Sequence, residues 1–428
     1  MSRTQYPPAR LSWMVWGLGG LLYLIGFFHR VAPAVITREL SLDFKLDATA
    51  LGSLSALYFY SYVLMQVPTG ILADRWGARK LLTSGALVAA AGGLLFALSP
   101  SLWWAGLGRF LVGGSVAVAY VCLLKVSSHW LPVNRYALAS AIALFLGIIG
   151  AVSAGTPMRW LVDEMGWRWV MSLIAGLTLV VALLIGKFTR DDPAQKGYKS
   201  YSLLAAANKE QDNFSLPSTV KKVLSYRNIR LLCLIPGGIA GALLTFSGLW
   251  GVPFLVTNYG LSTAAAASLC SVQLVAWAIG GLLIGWFCDR YGQLRRIYLG
   301  SCLLLLIGWS IIIIVPVLPM PLLVALLILT GFFSGAIIIT FVFARNTVPS
   351  ELVGTASGIV NMGVMTGPML LQPAVGWMLD QRWTGALVNG VRVFSRHAYT
   401  ISFGLFLLWL TVSVIAIWLS REPVLDSR

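Results

Sequence analysis

Long apolar stretches alternate with short polar ones along the whole chain, and this pattern predicts membrane-spanning helices. Each apolar stretch is roughly 20 residues or longer, the length that an α-helix needs to cross about 30 Å of hydrocarbon. Charged residues lie mainly between the stretches. We predict twelve spans, at 12–36, 49–72, 80–98, 103–127, 137–162, 167–188, 231–257, 264–287, 295–316, 321–344, 355–379 and 400–420.

A motif of small and charged residues separates the second and third spans, and a looser copy separates the eighth and ninth. Both copies read glycine, three residues, Asp-Arg, an aromatic residue, glycine and a basic cluster, and they begin at Gly70 and Gly285. Trp160 recurs as Trp377 at nearly the same interval. This recurrence predicts two similar halves, as in alternating-access transporters whose binding site lies where the repeats meet near the bilayer midplane.

The polar and basic stretch 189–230 divides the chain near its middle. Its composition fits a cytoplasmic linker with an amphipathic helix at the membrane interface. We therefore predict an N-terminal six-helix bundle over 1–188, a basic linker over 189–230 and a C-terminal six-helix bundle over 231–428. The predicted fold class is an all-α membrane protein with twelve transmembrane helices in two pseudo-symmetric bundles.

Composition and charge support a membrane protein. The chain is 58% hydrophobic and 11% charged, whereas soluble proteins have about 25% charged residues. Its net charge of +16 lies mostly in the loops after even-numbered spans and in the termini. That is the positive-inside distribution, which places both termini in the cytoplasm, favours a bacterial inner membrane and argues against a nucleic-acid partner. The five cysteines lack the paired spacing of a metal site, so we expect small buried hydrophobes and no cofactor.

Arg30 lies well inside the first span, with an apolar run still to follow. A charge there costs at least about 2.5 kcal/mol, so it should face protein or a wet cavity; an arginine that snorkels to the interface is the alternative. We place all 15 Asp and Glu residues in loops, tails or span ends. A central positive pocket attracts anions, and arginine binds carboxylates bidentately.

The leading functional prediction is a secondary transporter of a small carboxylate-bearing solute: an organic anion, an amino acid or a short peptide. The alternative is an antiporter that exports an anionic metabolite, drug or siderophore. No nucleophile–base pair suggests an enzyme. The predicted partners are the solute, the lipid bilayer and, as a candidate coupling ion, the proton, with the carrier acting as a monomer.

The remaining candidate binding residues are polar or aromatic side chains within spans. Phe27 shares a helix face with Arg30. His29 has an unperturbed pKa of about 6.5 and is the candidate proton carrier, although simple packing against another helix explains it equally well. Arg109 has a structural alternative, since it opens the fourth span. The other candidates are Tyr58, Tyr62, Gln66, Trp250, Gln273 and Asn361.

The hinge motif, the six-plus-six spans and the central basic loop resemble the major facilitator superfamily over nearly the whole chain. Within that superfamily, the chain is similar to the anion:cation symporter branch. The segments that carry this similarity are Tyr62-x-x-x-Gln66-x-Pro68-x-Gly70, Arg109-Phe110-Leu111-Val112-Gly113, Lys125, Trp130-Leu131-Pro132 and Gly166-Trp167-Arg168-Trp169. Acids that the branch associates with proton coupling often occupy the positions of His29 and Val116, so proton symport stays open.

The resemblance also implies a gating role for the two hinge motifs. Asp74 is expected near the start of span 11, around Gly354, where it would hold the cytoplasmic side closed; Asp289 would face the start of span 5. The full gating set implied by the resemblance is Gly70, Asp74, Arg75, Gly77, Arg79, Asp289 and Arg290.

Overall fold

The structure is a computed structural model that describes residues 5–201, 216–349 and 352–422, without the side chains of Ile71, Asp74, Val133, Ala137, Leu216 and Pro217. Within these ranges the chain is almost entirely helical, as the apolar pattern predicts. The helices are α1 (Ala9–Val31), α2 (Thr37–Phe44), α3 (Ala48–Trp76), α4 (Ala78–Ala97), α5 (Leu102–Val116), α6 (Val118–Trp130), α7 (Val133–Ser153), α8 (Thr156–Met165), α9 (Trp167–Phe188), α10 (Leu216–Ser225), α11 (Arg227–Leu232), α12 (Ile235–Thr245), α13 (Gly251–Tyr259), α14 (Thr263–Tyr291), α15 (Leu294–Ile314), α16 (Met320–Ser334), α17 (Ile337–Arg345), α18 (Val353–Asp380) and α19 (Arg396–Leu419).

Shorter elements join these helices. A 3-10 turn at Ala32–Val35 follows α1, and another lies at Pro193–Lys196. A π-helical segment, Phe246–Trp250, joins α12 to α13. Between α18 and α19, β1 (Leu387–Val388) and β2 (Val391–Arg392) form a small antiparallel hairpin.

Each predicted span corresponds to one long helix or to consecutive helices in line. Eleven helical stretches of the described residues are long and apolar enough to cross a membrane. The predicted span at 355–379 is the 28-residue helix α18, which falls outside that group because polar residues such as Asn361 and Gln372 lower its hydropathy. Since α18 packs against both α3 and α12, much of its surface is covered by protein and not by lipid.

Interruptions recur at equivalent points of the two halves. Span 4 breaks after Val116 and span 10 breaks after Ser334. The number of residues between these two breaks is close to the number between the duplicated tryptophans. Span 7 contains the π-helical segment, a rare feature that is frequent at functional sites. The matching breaks agree with the duplication that the sequence landmarks predict.

Both hinge motifs turn at a glycine with positive φ. The residue after α3 is Gly77 with φ 82°, and the residue after α14 is Gly292 with φ 66°. Both lie in the left-handed region, which glycine adopts without steric cost. Both turns lie at the end of the molecule that carries the basic clusters. We call this end the basic end, and the opposite end, where α3 begins and α18 finishes, the far end.

At the far end, Asp380 of the C-terminal half caps the first turn of α3 in the N-terminal half. Its carboxylate accepts hydrogen bonds from the N–H groups of Ala48 and Thr49, at 3.1 and 2.7 Å, and from the Thr49 hydroxyl at 2.6 Å. A carboxylate is stabilised there by the orphan N–H groups and by the positive end of the helix dipole. The two halves are therefore joined by a charge-assisted contact at this end.

Close backbone packing reinforces the far end. A Cβ atom at Gly52 would overlap the carbonyl of Gln372, and one at Gly376 would overlap the carbonyl of Ala48. Spans 5 and 8 also meet, through the Thr156 and Ser268 hydroxyls at 2.7 Å. Small residues allow helices to approach this closely.

Toward the basic end the contacts between spans 2 and 11 are looser. Gly70 of α3 and both Gly354 and Gly358 of α18 have open space where a Cβ atom would stand. Gly354 is also exposed. The halves are thus interlocked at the far end and less closely packed at the basic end.

Candidate functional site

Arg30 lies in the last turn of α1, directly before the 3-10 turn, and only 2% of its surface is exposed. Its guanidinium carbon lies 4.2 Å from the ring centroid of Phe27, 5.3 Å from that of Tyr62 and 5.8 Å from that of Tyr58. Rings attract a cation through their negative faces. Placement of this arginine inside the protein is therefore favoured over snorkelling to the interface.

No described carboxylate pairs with Arg30. Its Nε atom is buried without a hydrogen-bond partner. The acids found in ion pairs among the described residues lie at span ends or in connecting segments: Glu39, Asp43, Asp163, Asp192 and Asp380. Aromatic rings compensate a desolvated charge only in part, so Arg30 retains a positive field for an incoming anion.

Further aromatic residues extend the enclosure beyond those predicted. Tyr23 packs on Phe27 and on Tyr120 of span 4, with ring centroids 5.0 and 5.4 Å apart. Across the interface, Trp277 of α14 stacks against Phe27 with centroids 6.5 Å apart. We call the group formed by Arg30 with Tyr23, Phe27, Tyr58, Tyr62, Tyr120 and Trp277 the aromatic site. It combines spans 1, 2 and 4 with span 8.

Sequence reasoning missed Tyr120 and Trp277 as site residues. Trp277 lies four residues after the predicted Gln273, so helix periodicity places both on one face of span 8. That spacing was the available signal for Trp277. Periodicity within one helix does not define how the two halves dock. The sequence therefore could not show which face of span 8 meets span 1.

Gln66 and Asn361 join the halves beside the aromatic site. The Asn361 amide donates to the Gln66 side-chain oxygen at 2.8 Å. Gln66 lies one helical turn beyond Tyr62, so this contact borders the site on its basic side. The structure brings these two predicted residues together with Arg30, Phe27, Tyr58 and Tyr62.

His29 is adjacent to Arg30 in sequence but lies elsewhere. Its imidazole is 1% exposed and lies against Gly93 of α4, with Ala175 of α9 beside it. Its Nε2 atom has no hydrogen-bond partner. The ring therefore packs among spans 1, 3 and 6 within the N-terminal half, and its proposed role as a proton carrier stays a prediction.

Arg109 has a backbone-binding environment. One guanidinium nitrogen donates to the carbonyl of His29 at 2.6 Å and another to that of Ser55 at 3.2 Å. The guanidinium also lies 5.2 Å from the Tyr58 ring centroid. These bonds tie span 4 to the end of α1 and to α3, which is the arrangement expected for a structural arginine.

Trp250 and Gln273 are fully buried and already have polar partners. The Trp250 indole donates to the carbonyl of Gln372 at 3.0 Å. Gln273 accepts from the Ser247 hydroxyl and donates to Thr330 at 3.0 Å. Neither side chain meets the aromatic site through a described contact, and a ligand role for them stays a prediction.

The predicted gating residues are distributed around the basic end. Arg75, Asp289 and Arg290 are exposed, with no described ion-pair partner for their charges. Arg79 donates to the carbonyl of Gly186 in α9, so it binds its own half. The Asp74 side chain lies outside the described residues, and the latch assigned to it stays a prediction.

Another acid caps the turn at Gly77. Asp191, just after span 6, accepts a hydrogen bond from the N–H of Arg79 at 2.7 Å, and its carboxylate would overlap a Cβ atom at Gly77. The neighbouring Asp192 lies 3.0 Å from His129 Nδ1. Sequence reasoning missed both contacts, since the acids are far from their partners along the chain.

The duplicated helical bundles with a polar site at their interface define a multi-pass membrane transporter, and the known relatives agree that it is not an enzyme. The sequence model of the Major Facilitator Superfamily matches residues 15–254 and 238–428. The chain therefore belongs to the major facilitator superfamily.

Relatives that align with most of the chain are named as transporters. The chain is 23% identical to a putative tartrate transporter of Agrobacterium vitis, over 87% of this chain and 84% of the relative. It is 24% identical to the probable galactarate/D-glucarate transporter GudP of Escherichia coli, over 86% of this chain and 88% of the relative. It is also 25% identical to a quinolone resistance transporter of Acinetobacter baumannii, over 91% of each chain.

A solved structure confirms the fold. The inward-facing, unoccupied crystal structure of a bacterial homolog of the human lysosomal transporter Spinster superposes with a TM-score of 0.74 at 16% identity, covering 96% of this chain and 97% of that chain. At this identity the likeness establishes the fold alone.

Proposed function

We propose that this protein transports a small organic anion by alternating access and that Arg30 binds the carboxylate of the solute. The observation that carries this proposal is a buried guanidinium at the half interface that has aromatic neighbours and no described acid. A buried cation without a counter-ion is costly. A carboxylate with bidentate hydrogen bonds would complete its environment.

The walls of the site favour a solute with an apolar or flat body. Phe27, Tyr62 and Trp277 offer ring faces beside the guanidinium. Tyrosine hydroxyls and the Gln66–Asn361 pair supply a few polar groups around them. Because no described acid is present to receive an ammonium group, organic anions fit this site better than amino acids or peptides do.

The relatives support recognition of a carboxylate, although the solutes that two of them are named for carry hydroxyl groups in place of an apolar body. Two are named as transporters of tartrate and of galactarate or D-glucarate, which are carboxylates. The relative named for quinolone resistance supports the second candidate, export of an anionic metabolite, drug or siderophore by antiport. The aromatic site can serve either direction, because the binding group is the same.

The unequal packing of the two ends supports alternating access. The far end is held by Asp380 and by close glycine contacts, while Gly70 and Gly354 have open space beside them toward the basic end. The positive-inside rule assigns the basic end to the cytoplasm. The proposed state is therefore a carrier closed to the outside of a bacterial inner membrane, with both termini in the cytoplasm.

Proton coupling through His29 is a separate element of the proposal. The imidazole packs against α4 and α9, away from the aromatic site. A His29→Gln variant that still accumulates solute under an imposed proton gradient would exclude this residue from coupling, leaving exchange or uniport. Loss of accumulation with retained exchange would support His29 as the proton carrier.

The proposal is tested with thermal-shift measurements on the purified protein. The panel holds aliphatic and aromatic mono- and dicarboxylates, amino acids and dipeptides, each acid paired with its neutral amide. We expect at least one organic acid to raise the melting temperature and its amide to leave it unchanged. Equal stabilisation by the acid and its amide would show that the carboxylate is not recognised and would contradict the proposal.

A further inference from the structure

A cleft on the outer surface of the N-terminal half lies at the basic end, apart from the aromatic site. It has a volume of about 370 Å³ and opens between α4 and α9. Residues that line it are Arg79, Lys80, Thr83, Ser84, Leu87 and Gly186. Two of them, Arg79 and Lys80, belong to the basic cluster of the first hinge motif, and Lys80 is not among the predicted gating residues.

The basic side chains of the cleft are held in place or exposed at its mouth. Arg79 donates through Nε to the carbonyl of Gly186 at 3.0 Å, which fixes its guanidinium over the last turns of α9. Lys80 is exposed, and no described acid pairs with it. Lys187, beside Gly186, is exposed as well.

The nearby acid does not neutralise this charge. Asp191 accepts from the backbone N–H of Arg79 and lies against Gly77, on the loop side of the turn. Among the side chains that the structure describes around the cleft, one carboxylate therefore stands against the cations Arg79, Lys80 and Lys187. The mouth of the cleft is net positive and attracts anions.

The cleft continues into the surface that faces hydrocarbon. Leu87 lies seven residues beyond Lys80 on α4, about 10 Å deeper along the helix axis. Exposed aliphatic side chains continue both walls, with Val88 on α4 at 41% and Leu183 on α9 at 62% exposure. An amphiphilic ligand could thus place its charged group at the mouth of the cleft and its aliphatic chain deeper along the helices.

We propose that this cleft binds an anionic phospholipid of the leaflet at the basic end. Arg79 and Lys80 would contact the phosphate, and an acyl chain would lie along Leu87 and the exposed aliphatic walls. Basic pockets between transmembrane helices on the cytoplasmic side bind anionic headgroups in this way. A Cβ atom at Gly186 would stand 3.3 Å from the Thr83 methyl group on the facing wall, so a large side chain there would intrude into the cleft.

The second half provides an internal comparison. Arg295 is the counterpart of Arg79 in the second hinge motif, and it likewise donates to the end of the last helix of its half, through Nε to the carbonyl of Ile417 at 3.3 Å. Ile417 therefore stands where the first half has Gly186, and the adjacent Trp418 is 62% exposed. Arg296 is the counterpart of Lys80, since each directly follows its paired arginine.

Native mass spectrometry of the purified full chain tests this site with phosphatidylglycerol and phosphatidylethanolamine as probes. We expect the wild type to retain phosphatidylglycerol preferentially. Lys80→Gln should weaken retention about fivefold, the worth of one basic residue near an anionic surface, whereas the matched variant Arg296→Gln should retain the lipid fully. Equal loss in both variants, no loss in Lys80→Gln, or equal retention of the two lipids would overturn the proposal.

Two additional measurements test whether the ligand is a lipid or a free phosphate ion, and whether the shape of the cleft contributes to binding besides its charge. Millimolar inorganic phosphate should leave phosphatidylglycerol bound; displacement by it would assign the cleft to phosphate and overturn the lipid assignment. Gly186→Trp should fill the cleft without altering charge and lower retention as strongly as Lys80→Gln does. A folded Gly186→Trp protein that retains the lipid fully would show that the lipid binds elsewhere.

Discussion

Two buried arginines of the N-terminal half differ in what surrounds them, and this difference supports the roles proposed for them. Arg109 directs two guanidinium nitrogens to backbone carbonyls of other spans. Arg30 has three aromatic rings around it and an unpartnered Nε. Nε is unpartnered in both arginines, so the distinguishing feature is the pair of backbone carbonyls that hold the other two nitrogens of Arg109. Such bonds to other spans are expected of an arginine that stabilises the bundle. Both arginines were candidates from sequence because charge inside a span is rare.

Arg109→Gln is predicted to destabilise the protein while preserving the chemistry of the aromatic site. Hydrogen bonds to charged groups contribute about 1.5–3 kcal/mol each, and we expect a total loss of about 2–4 kcal/mol because the shorter amide recovers part of them. Denaturant unfolding in detergent measures this. If Arg109→Gln were as stable as the wild type but no longer bound the organic acid found by thermal shift, Arg109 would instead be a binding residue.

At the scale of elements, the contacts that hold the structure come from segments that are distant in sequence. Asp380 caps α3 across the half interface, and Asp192 meets His129 beyond the last turn of α9. Asp163 and Asp380 each follow one of the duplicated tryptophans, Trp160 and Trp377, by three residues, so they are equivalent in the sequence repeat. Their partners differ, because Asp163 bonds Arg159 within its own helix. A repeat in sequence thus predicts position more reliably than it predicts contacts.

Asp380→Ala is predicted to loosen the far end. It removes a carboxylate that accepts two backbone N–H bonds at the start of α3, so the far ends of α3 and α18 should separate more often. Spin labels at the exposed positions Ser53 and Trp377 measure this distance, on a background without the native cysteines. We expect an additional population at longer distance in Asp380→Ala and no such population in the control Asp163→Ala. If Asp380→Ala and the wild type gave identical distance distributions, Asp380 would not hold the far end closed.

Asp192 makes the stability of the basic end depend on pH. Partial burial tends to raise its pKa, but the N–H of Ala194 at 2.7 Å and the nearby His129 outweigh burial and lower the pKa below the ordinary value. A carboxyl with a lowered folded-state pKa stabilises the protein above its unfolded-state pKa of about 3.9, and this contribution disappears as pH falls through the folded-state pKa.

Asp192→Asn should therefore melt at a lower temperature than the wild type at pH 7, and the difference should shrink as the pH falls below about 4. Asp289→Asn is the matched control, because Asp289 is exposed and lacks a described ion-pair partner. Melting curves over a pH series measure both. If the difference in melting temperature between wild type and Asp192→Asn stayed constant down to about pH 3, the lowered pKa assigned to Asp192 would be contradicted.

At the scale of the whole molecule, the architecture was predictable because the bilayer imposes it. Hydrocarbon requires long apolar helices, and the recurring landmarks identified the duplication. The proximity of Arg30 to Phe27, Tyr58 and Tyr62 was also predictable, since these residues lie on one face of span 1 and one face of span 2. Trp277 was not, because its contact with Phe27 arises only when the halves dock. The boundaries of the linker at 189–230 stay a prediction.

The central claim is that Arg30 binds the carboxylate of the transported solute. Its most direct test is counterflow in proteoliposomes with a radiolabelled acid identified by thermal shift, comparing wild type, Arg30→Lys and Arg30→Gln at equal amounts of folded protein. One charge-assisted pair is worth about 1.5–3 kcal/mol, so Arg30→Gln should exchange the acid at least about tenfold more slowly, with Arg30→Lys in between. Exchange by Arg30→Gln at the wild-type rate would contradict the claim.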